Sequence, residues 1–469
     1  MDAIDSIVNT ISGYLYTPWV PLFLIVGGLI FTFMLKGVQF RFFTESIRVA
    51  TEKKTHEAST SSFGALMVST ASRVGTGNIV GVSTAICLGG PGAVFWMWMT
   101  ALMGGASAFV ESTLAQVYKK RDTDGSCYGG PSYYMEQALG CRWLGLIFAV
   151  IIILTYAVGY NMLAAYNLQS SFQIFSFYES GSTPFVIGVV LTACFALSVL
   201  GGLKQIVKVS AFLVPLMGVI YIGVALVAVV INISNVPAMI VGIIEDAFDF
   251  EAIFGGFAGS ALMYGIKRGL YSNEAGMGSA PNAAASAAVS HPAKQGFVQM
   301  LSVFIDTLLI CSATALMCLV SGVEPTAEVA GAVYVQKSVE ATFGSFGPGF
   351  VAFAMVLFAF TTLIGNYYYC EGCLRFILNR KPGKGLLLGF RIAACALVLL
   401  GSVISMGLAW DTADMLQAMM VIINIPVILI LSKTAVAVLN DYAKQRAAGV
   451  NPVFKASSIG LKQKTDFWN

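Results

Sequence analysis

The sequence predicts an all-α membrane protein of eleven transmembrane helices, one leading helix followed by two five-helix groups of opposite topology. Three observations predict it. Of 469 residues, 57% are hydrophobic and only 11% are charged, against about 25% charged in soluble domains. So apolar a chain has too little polar surface to cover a water-exposed core. Eleven apolar runs approach the length of about 20 residues that a bilayer span requires. Lysine and arginine, finally, fall almost entirely in alternate loops, as they do in membrane proteins of fixed orientation. A soluble enzyme, a disordered chain, a coiled coil and a nucleic-acid binder are excluded together.

The runs lie at 17–36, 62–86, 93–118, 143–170, 184–200, 206–232, 252–270, 297–320, 349–370, 386–406 and 412–432. With the N-terminus outside, the loops at 37–61, 119–142, 201–208, 271–296 and 371–385 and the tail from Lys433 all face inside. They hold the basic residues, among them Arg41, Arg48, Lys119, Lys120, Arg121, Arg375 and Arg380. The outside loops hold a single lysine, Lys337, and acids such as Glu179, Asp246, Glu324 and Asp411. A wrong count would scramble this alternation. The opening MDAIDSIVNT lacks a basic region, so no cleaved signal peptide is expected. The expectation is a multi-pass protein of the inner (cytoplasmic) membrane with its C-terminus in the cytoplasm. Its parts are an extra helix and loop (1–61), a first group (62–232), a second group (233–432) and a cytoplasmic tail (433–469). The 321–348 loop suits a short amphipathic helix over the outer face. The basic tail suits an electrostatic rest on anionic lipid headgroups.

The nine cysteines have no framework spacing. Cys370 and Cys373 form a CxxC without a second pair or a nearby histidine, so small buried hydrophobes are expected there. The only histidines, His56 and His291, lie in polar stretches.

Two segments are poor continuous helices. Segment two carries Arg73-Val74-Gly75-Thr76-Gly77-Asn78 in its middle, and each glycine costs about 1 kcal/mol against alanine. In segment seven, Gly255, Gly256, Gly259 and Ser260 interrupt the apolar run, and Lys267 and Arg268 follow. Each opens a five-helix group, and the two run in opposite directions. This is the pattern of an inverted-repeat secondary transporter whose site lies at two broken helices near the midplane. Close helix packing through small residues is the competing explanation. Free N–H groups and the positive dipole end near Thr76 suit a carboxylate. Free carbonyls near Val74 suit Na⁺ or H⁺. Thr361 and Thr362 offer hydroxyls, or else bond their own helix backbone.

Other ionisable groups in apolar runs are functional candidates by default. Glu111 is expected to satisfy broken backbone rather than substrate. Asp306 pairs with a cation or holds Arg73, and the residues do not decide which. Tyr156, Tyr160 and Asn161 form one polar helix face, turned to a cavity or to a neighbouring helix.

The strings GTGNIVGV, GGPGAVFWMW, GIKRGLYSNEAGMGSAPNAAA, VQMLSVFIDT and FAFTTLIGNYYY resemble the alanine or glycine:cation symporters over essentially the whole chain. The resemblance implies a LeuT-type fold, a 5+5 inverted repeat behind one extra helix. It implies uptake of alanine, glycine or related small neutral amino acids coupled to Na⁺, with H⁺ as the alternative. It implies no enzymatic activity and no nucleic-acid partner. By this match the backbone of Gly75, Thr76, Gly77 and Asn78 holds the substrate carboxylate. The carbonyls of Ala71 and Val74, with Thr361 and Thr362, form the Na⁺ site. The break with Gly255, Gly256 and Gly259 holds the substrate amino group, and Tyr160 joins the substrate-binding set. Many family members carry tryptophan where this chain has Asn366, so a wider pocket, open to serine or glutamine, is the alternative on substrate.

Overall fold

The computed structural model describes residues 2–53, 59–122, 125–463 and 465–468. His56 and Lys54 lie outside the described residues. In hydrocarbon every backbone polar group must be satisfied within the protein, which leaves a chain this apolar with helices. Among the described residues, nine helices are long and apolar enough to cross a membrane. They are α1 (Ser6–Met34), α5 (Ala93–Val117), α6 (Arg142–Ser170), α7 (Thr183–Leu200), α8 (Gly202–Ile231), α11 (Ala293–Val320), α13 (Phe346–Leu378), α14 (Lys384–Gly401) and α15 (Met406–Ile430). The first is longer than the predicted 17–36. Val219 on α8 and Ile392 on α14 are 73% and 62% exposed, so these helices turn apolar side chains outward, as a lipid-facing surface requires.

The two segments singled out as discontinuous are broken. The first comprises α3 (Ser62–Arg73), a tight turn at Thr76–Asn78, and α4 (Val80–Gly89). Its break falls at the predicted place. The second breaks elsewhere. Gly255, Gly256 and Gly259 are exposed, at the end of a short helix Phe250–Gly255 and in the turn Phe257–Gly259. Helix α9 (Ala261–Asn273) starts only after them, its first turn capped by Ser260 Oγ, which accepts from the Met263 amide at 3.3 Å. The buried interruption is 274–280. There Glu274, Gly276 and Gly278 take φ of 54°, 84° and 81°, a region that ends a helix. Helix α10 (Pro281–Ala285) follows. Helix α9 packs on α4 and α5, and α10 packs on α3 and α5, so the two breaks lie side by side.

Helix α12 (Ala332–Phe343) occupies the 321–348 loop, as expected. At the opposite end, which carries the basic loops, lie α2 (Phe43–Ala50) and α16 (Ser432–Ala447). Tyr442 donates to Glu45, and Arg446 pairs with it at 3.1 Å. Burial alone would raise the Glu45 carboxyl, but hydrogen bonds from Arg48 and Tyr442 outweigh it and hold it at about 2, from an ordinary 4.5. The tail does not lie free for lipid headgroups. Its apolar residues Phe454 and Trp468 are buried. The Phe454 amide donates to the Ser290 carbonyl (2.9 Å), and Trp468 Nε1 donates to the Gln116 carbonyl (2.8 Å). A cavity of about 650 Å³ opens at this basic end, lined by Thr60, Asn282, Ser286, Tyr368 and Arg375. Arg375 reaches Asp122 across it at 2.9 Å.

Candidate functional site

The site begins with what the first break does to hydrogen bonds. In a continuous helix the Gly75 amide would donate to Ala71, and the Asn78 amide to Val74. Instead the Gly75 amide donates to Asn78 Oδ1 (2.8 Å), and the Asn78 amide donates to the Gly75 carbonyl (3.1 Å). The carbonyls of Ala71 and Val74 are thereby released from the helix ladder. The amides of Thr76 and Gly77 donate to no backbone carbonyl among the described residues. One break thus presents carbonyl oxygens on one side and N–H groups on the other.

The long helix α13 closes over the carbonyl side. Thr362 is buried, and its Oγ1 has no hydrogen-bond partner among the described residues. It stands against Gly75, where a Cβ would overlap it. Thr361 behaves differently, since its hydroxyl donates to its own helix at the Leu357 (3.0 Å) and Phe358 (3.1 Å) carbonyls. Of the two threonines, Thr362 is the one with a free oxygen facing the break.

The second break lies across from the first. Glu274, fully buried, accepts from Ser279 Oγ at 2.8 Å, and its Oε1 lies 2.8 Å from Ser72 Oγ. Ser72 Oγ also lies 2.7 Å from Asn366 Oδ1, and Asn366 Nδ2 donates to Asn161 Oδ1 at 2.9 Å. A polar chain therefore links both breaks to α13 and α6. The Ala275 amide turns to Asn273 Oδ1 (3.0 Å), so it does not continue the ladder to Tyr271. Glu111 does what the sequence suggested. Its Oε2 accepts from the Gly278 amide (3.1 Å) and from Asn424 Nδ2 (2.9 Å), holding broken backbone.

Asp306 resolves against Arg73. It accepts from Asn78 Nδ2 (2.7 Å), Ser272 Oγ (2.6 Å) and Thr307 Oγ1 (2.8 Å), which ties both breaks to α11. Arg73 instead donates to the Gln299 carbonyl at 3.2 Å, while its Nε and Nη2 have no partner among the described residues. Tyr160 donates to Gln417 Oε1 (2.7 Å), and its ring stacks edge-on against Tyr271 at 4.7 Å. Tyr271 in turn closes on Gly77, where a Cβ would lie 2.6 Å from its ring. Beyond it, Arg268 pairs with Asp414 at 2.9 Å and covers the Trp410 ring at 3.9 Å. Cys370 and Cys373 are buried free thiols.

The structure thus brings Ala71, Val74, Gly75, Thr76, Gly77, Asn78, Thr362, Asn366 and Tyr160 around one pair of breaks. It leaves Gly255, Gly256 and Gly259 on the surface, and it turns Thr361 to its own backbone. Glu274, Ser72, Gln417 and Asn167, whose Nδ2 donates to Thr76 Oγ1 at 3.2 Å, were not singled out from the sequence. For Glu274 a signal existed, a lone carboxylate followed by Gly276 and Gly278 within an otherwise small-residue string.

Residues 1–456 match the sodium:alanine symporter family. The chain is 44% identical to the amino-acid carrier protein AlsT of Bacillus subtilis, over 99% of this chain and 97% of that one. It is 43% identical to the probable sodium/glutamine symporter GlnT (99% and 96% covered) and 41% identical to the putative sodium/proton-dependent alanine carrier protein YrbD (95% and 94%), both of the same organism. In fold it is similar to a manganese transporter of Eremococcus coleocola, with a TM-score of 0.53 at 14% identity over 86% of this chain and 81% of that one. It is also similar to MhsT, with a TM-score of 0.50 at 14% identity over 89% and 94%. Both have the LeuT-type fold. This is a multi-pass membrane transporter and not an enzyme, and the chain belongs to the sodium:alanine symporter family.

Proposed function

We propose that the protein is a Na⁺-coupled symporter that imports small neutral amino acids of the alanine and glycine class by alternating access. The observation that carries this reading is the double character of the first break. Released carbonyls of Ala71 and Val74 stand beside the unpartnered Thr362 hydroxyl, while released amides of Thr76 and Gly77 stand one residue further on. Hard oxygens suit Na⁺, and amides at a helix start suit a carboxylate. The substrate amino group then falls to the second break, at the carbonyls of Tyr271 and Ser272, which α9 leaves without the amides of the next turn. Tyr271 and Tyr160 close one side of the pocket, and Asn366 closes another.

In this reading eleven helices cross the inner membrane with the N-terminus outside. The residues 62–232 and 233–432 are the two inverted repeats behind one extra helix. The basic end is cytoplasmic, and the cavity there is the inner vestibule. Uptake of a panel of amino acids, with and without Na⁺, tests the reading. Alanine and glycine should compete best and only with Na⁺ present.

A second reading takes a larger or more polar substrate, serine or glutamine, and one observation favours it. Asn366 is a compact polar side chain in the pocket wall, and GlnT, a relative at 43% identity, is named a probable sodium/glutamine symporter. H⁺ as a further coupling ion has its support in the name of YrbD, a putative sodium/proton-dependent carrier.

A further inference from the structure

The chain of polar groups between the two breaks is one hydrogen short when its carboxyl is ionised. Ser72 Oγ lies 2.8 Å from Glu274 Oε1 and 2.7 Å from Asn366 Oδ1. A serine hydroxyl carries one proton, and an ionised carboxylate and an amide oxygen only accept. With Glu274 ionised, one of these two contacts is oxygen against oxygen with no hydrogen between them. Asn366 does not supply it, because its Nδ2 donates to Asn161 Oδ1 at 2.9 Å. A proton on Glu274 completes the chain. Glu274 donates to Ser72, Ser72 to Asn366, and Asn366 to Asn161, while Ser279 still donates to the other carboxyl oxygen at 2.8 Å.

The surroundings agree. Glu274 is fully buried and forms no ion pair among the described residues. An ionised carboxylate without a paired charge is costly in such a place. The groups that face it are Arg73 from α3, Tyr156 and Tyr160 from α6, Tyr369 from α13 and Tyr271 from α9. Arg73 is the only cation of the set, it makes no direct contact with Glu274, and it is shared with Glu111 of α5. The Tyr156 hydroxyl is within reach of Glu274 and Ser279, and the Tyr369 hydroxyl is within reach of Ser72.

We propose that Glu274 is a proton-binding site of the transport cycle, protonated in this conformation and deprotonated when α3 carries Ser72 away from it. On release, the O–H bond of the carboxyl breaks, the proton passes to water entering the break, and the carboxylate stays behind. The site differs from the Na⁺ position because it uses a side chain of the second break and the hydroxyl of Ser72, not the carbonyls of the first. The inference rests on the symport reading and adds the seat of a second coupling ion. The competing arrangement turns over the amides of both Asn366 and Asn161, which frees Ser72 to donate to an ionised Glu274.

Infrared difference spectra of the full-length protein in lipid, taken on adding Na⁺ and alanine, separate the two. The proposal expects a protonated-carboxyl C=O band that is lost in Glu274→Gln and kept in Glu111→Gln. Ser72→Ala, which removes the shared hydroxyl and leaves the carboxyl, should shift the band. A band that survives Glu274→Gln, or its absence from the unsubstituted protein, overturns the proposal. Should Glu274→Gln not fold, an unshifted band in Ser72→Ala overturns it equally. Na⁺-driven alanine uptake by the same unsubstituted preparation reports on the symport reading alone. Uptake without the band removes the proton site and leaves that reading standing.

Discussion

The hydroxyl of Thr362 occupies the space that a side chain on Gly75 would need. The contact joins the middle of α13 to the break between α3 and α4, and it explains why a glycine stands there. It also sets the first expectation. Thr362→Ala removes an oxygen from a hard cation and should weaken apparent Na⁺ affinity about tenfold, since contacts to charged groups contribute about 1.5–3 kcal/mol. Gly75→Ala should do the same by displacing Thr362. In the Thr362→Ala background it should do less, because the overlapping atom is gone. A double-mutant cycle on Na⁺ activation of uptake measures this coupling. Thr361→Ala, whose hydroxyl serves its own helix, should change Na⁺ activation less than Thr362→Ala.

Gly77 abuts the Tyr271 ring, and a Cβ there would lie at 2.6 Å. Gly77→Val should abolish amino-acid binding while the protein still reaches the membrane, as measured by equilibrium binding on purified protein. Amino-acid amides, which lack the carboxylate, should fail to compete for uptake.

How much of this was legible in the sequence differs between the two breaks. At the first, two glycines, an arginine and an asparagine coincide in six positions, a set that disfavours a helix interior. At the second, the visible interruption was Gly255 to Gly259, yet glycines exposed at a helix start satisfy their backbone with solvent and need no partner. The buried break is made by left-handed backbone at Glu274, Gly276 and Gly278, inside a string so small and polar that it reads as a loop. The free state of Thr362 against the self-bonded state of Thr361 was not legible either, because adjacent residues on one helix differ only by a rotation of about 100°. The charge of the tail masks its apolar anchors. Its lysines are spaced by Phe454, Phe467 and Trp468, which find a protein surface.

Asn366 uses both ends of its amide, towards Ser72 and Asn161. Asn366→Ala should lower stability by about 1–3 kcal/mol, the cost of leaving buried partners unmade. Asn366→Trp should narrow a competition panel toward glycine and alanine. A retained ranking of substrates in that variant would remove Asn366 from the pocket wall.

Arg268 and Asp414 form a buried pair at 2.9 Å, with side chains 7% and 3% exposed. Removing one partner strands a charge, so Asp414→Ala should destabilise by about 3–5 kcal/mol. Arg268→Met together with Asp414→Leu should recover much of that loss. Thermal melting of the three proteins in one detergent gives the comparison.

At the basic end, the Glu45 carboxyl sits at about 2, below its ordinary 4.5. A lowered carboxylate contributes stability that is full above the ordinary value and is lost as pH falls toward about 2. Glu45→Gln should remove that part of the acid sensitivity, read as the change of melting temperature with pH.

The most direct measurement is accumulation of labelled alanine in proteoliposomes that contain only the purified protein and an inward Na⁺ gradient. Symport through the paired breaks requires alanine to rise inside above its outside concentration, to fall back when the gradient is collapsed, and to fail in Gly77→Val. Alanine that merely equilibrates whatever the Na⁺ gradient, or that accumulates equally through Gly77→Val, would contradict the reading of the break as the coupled site.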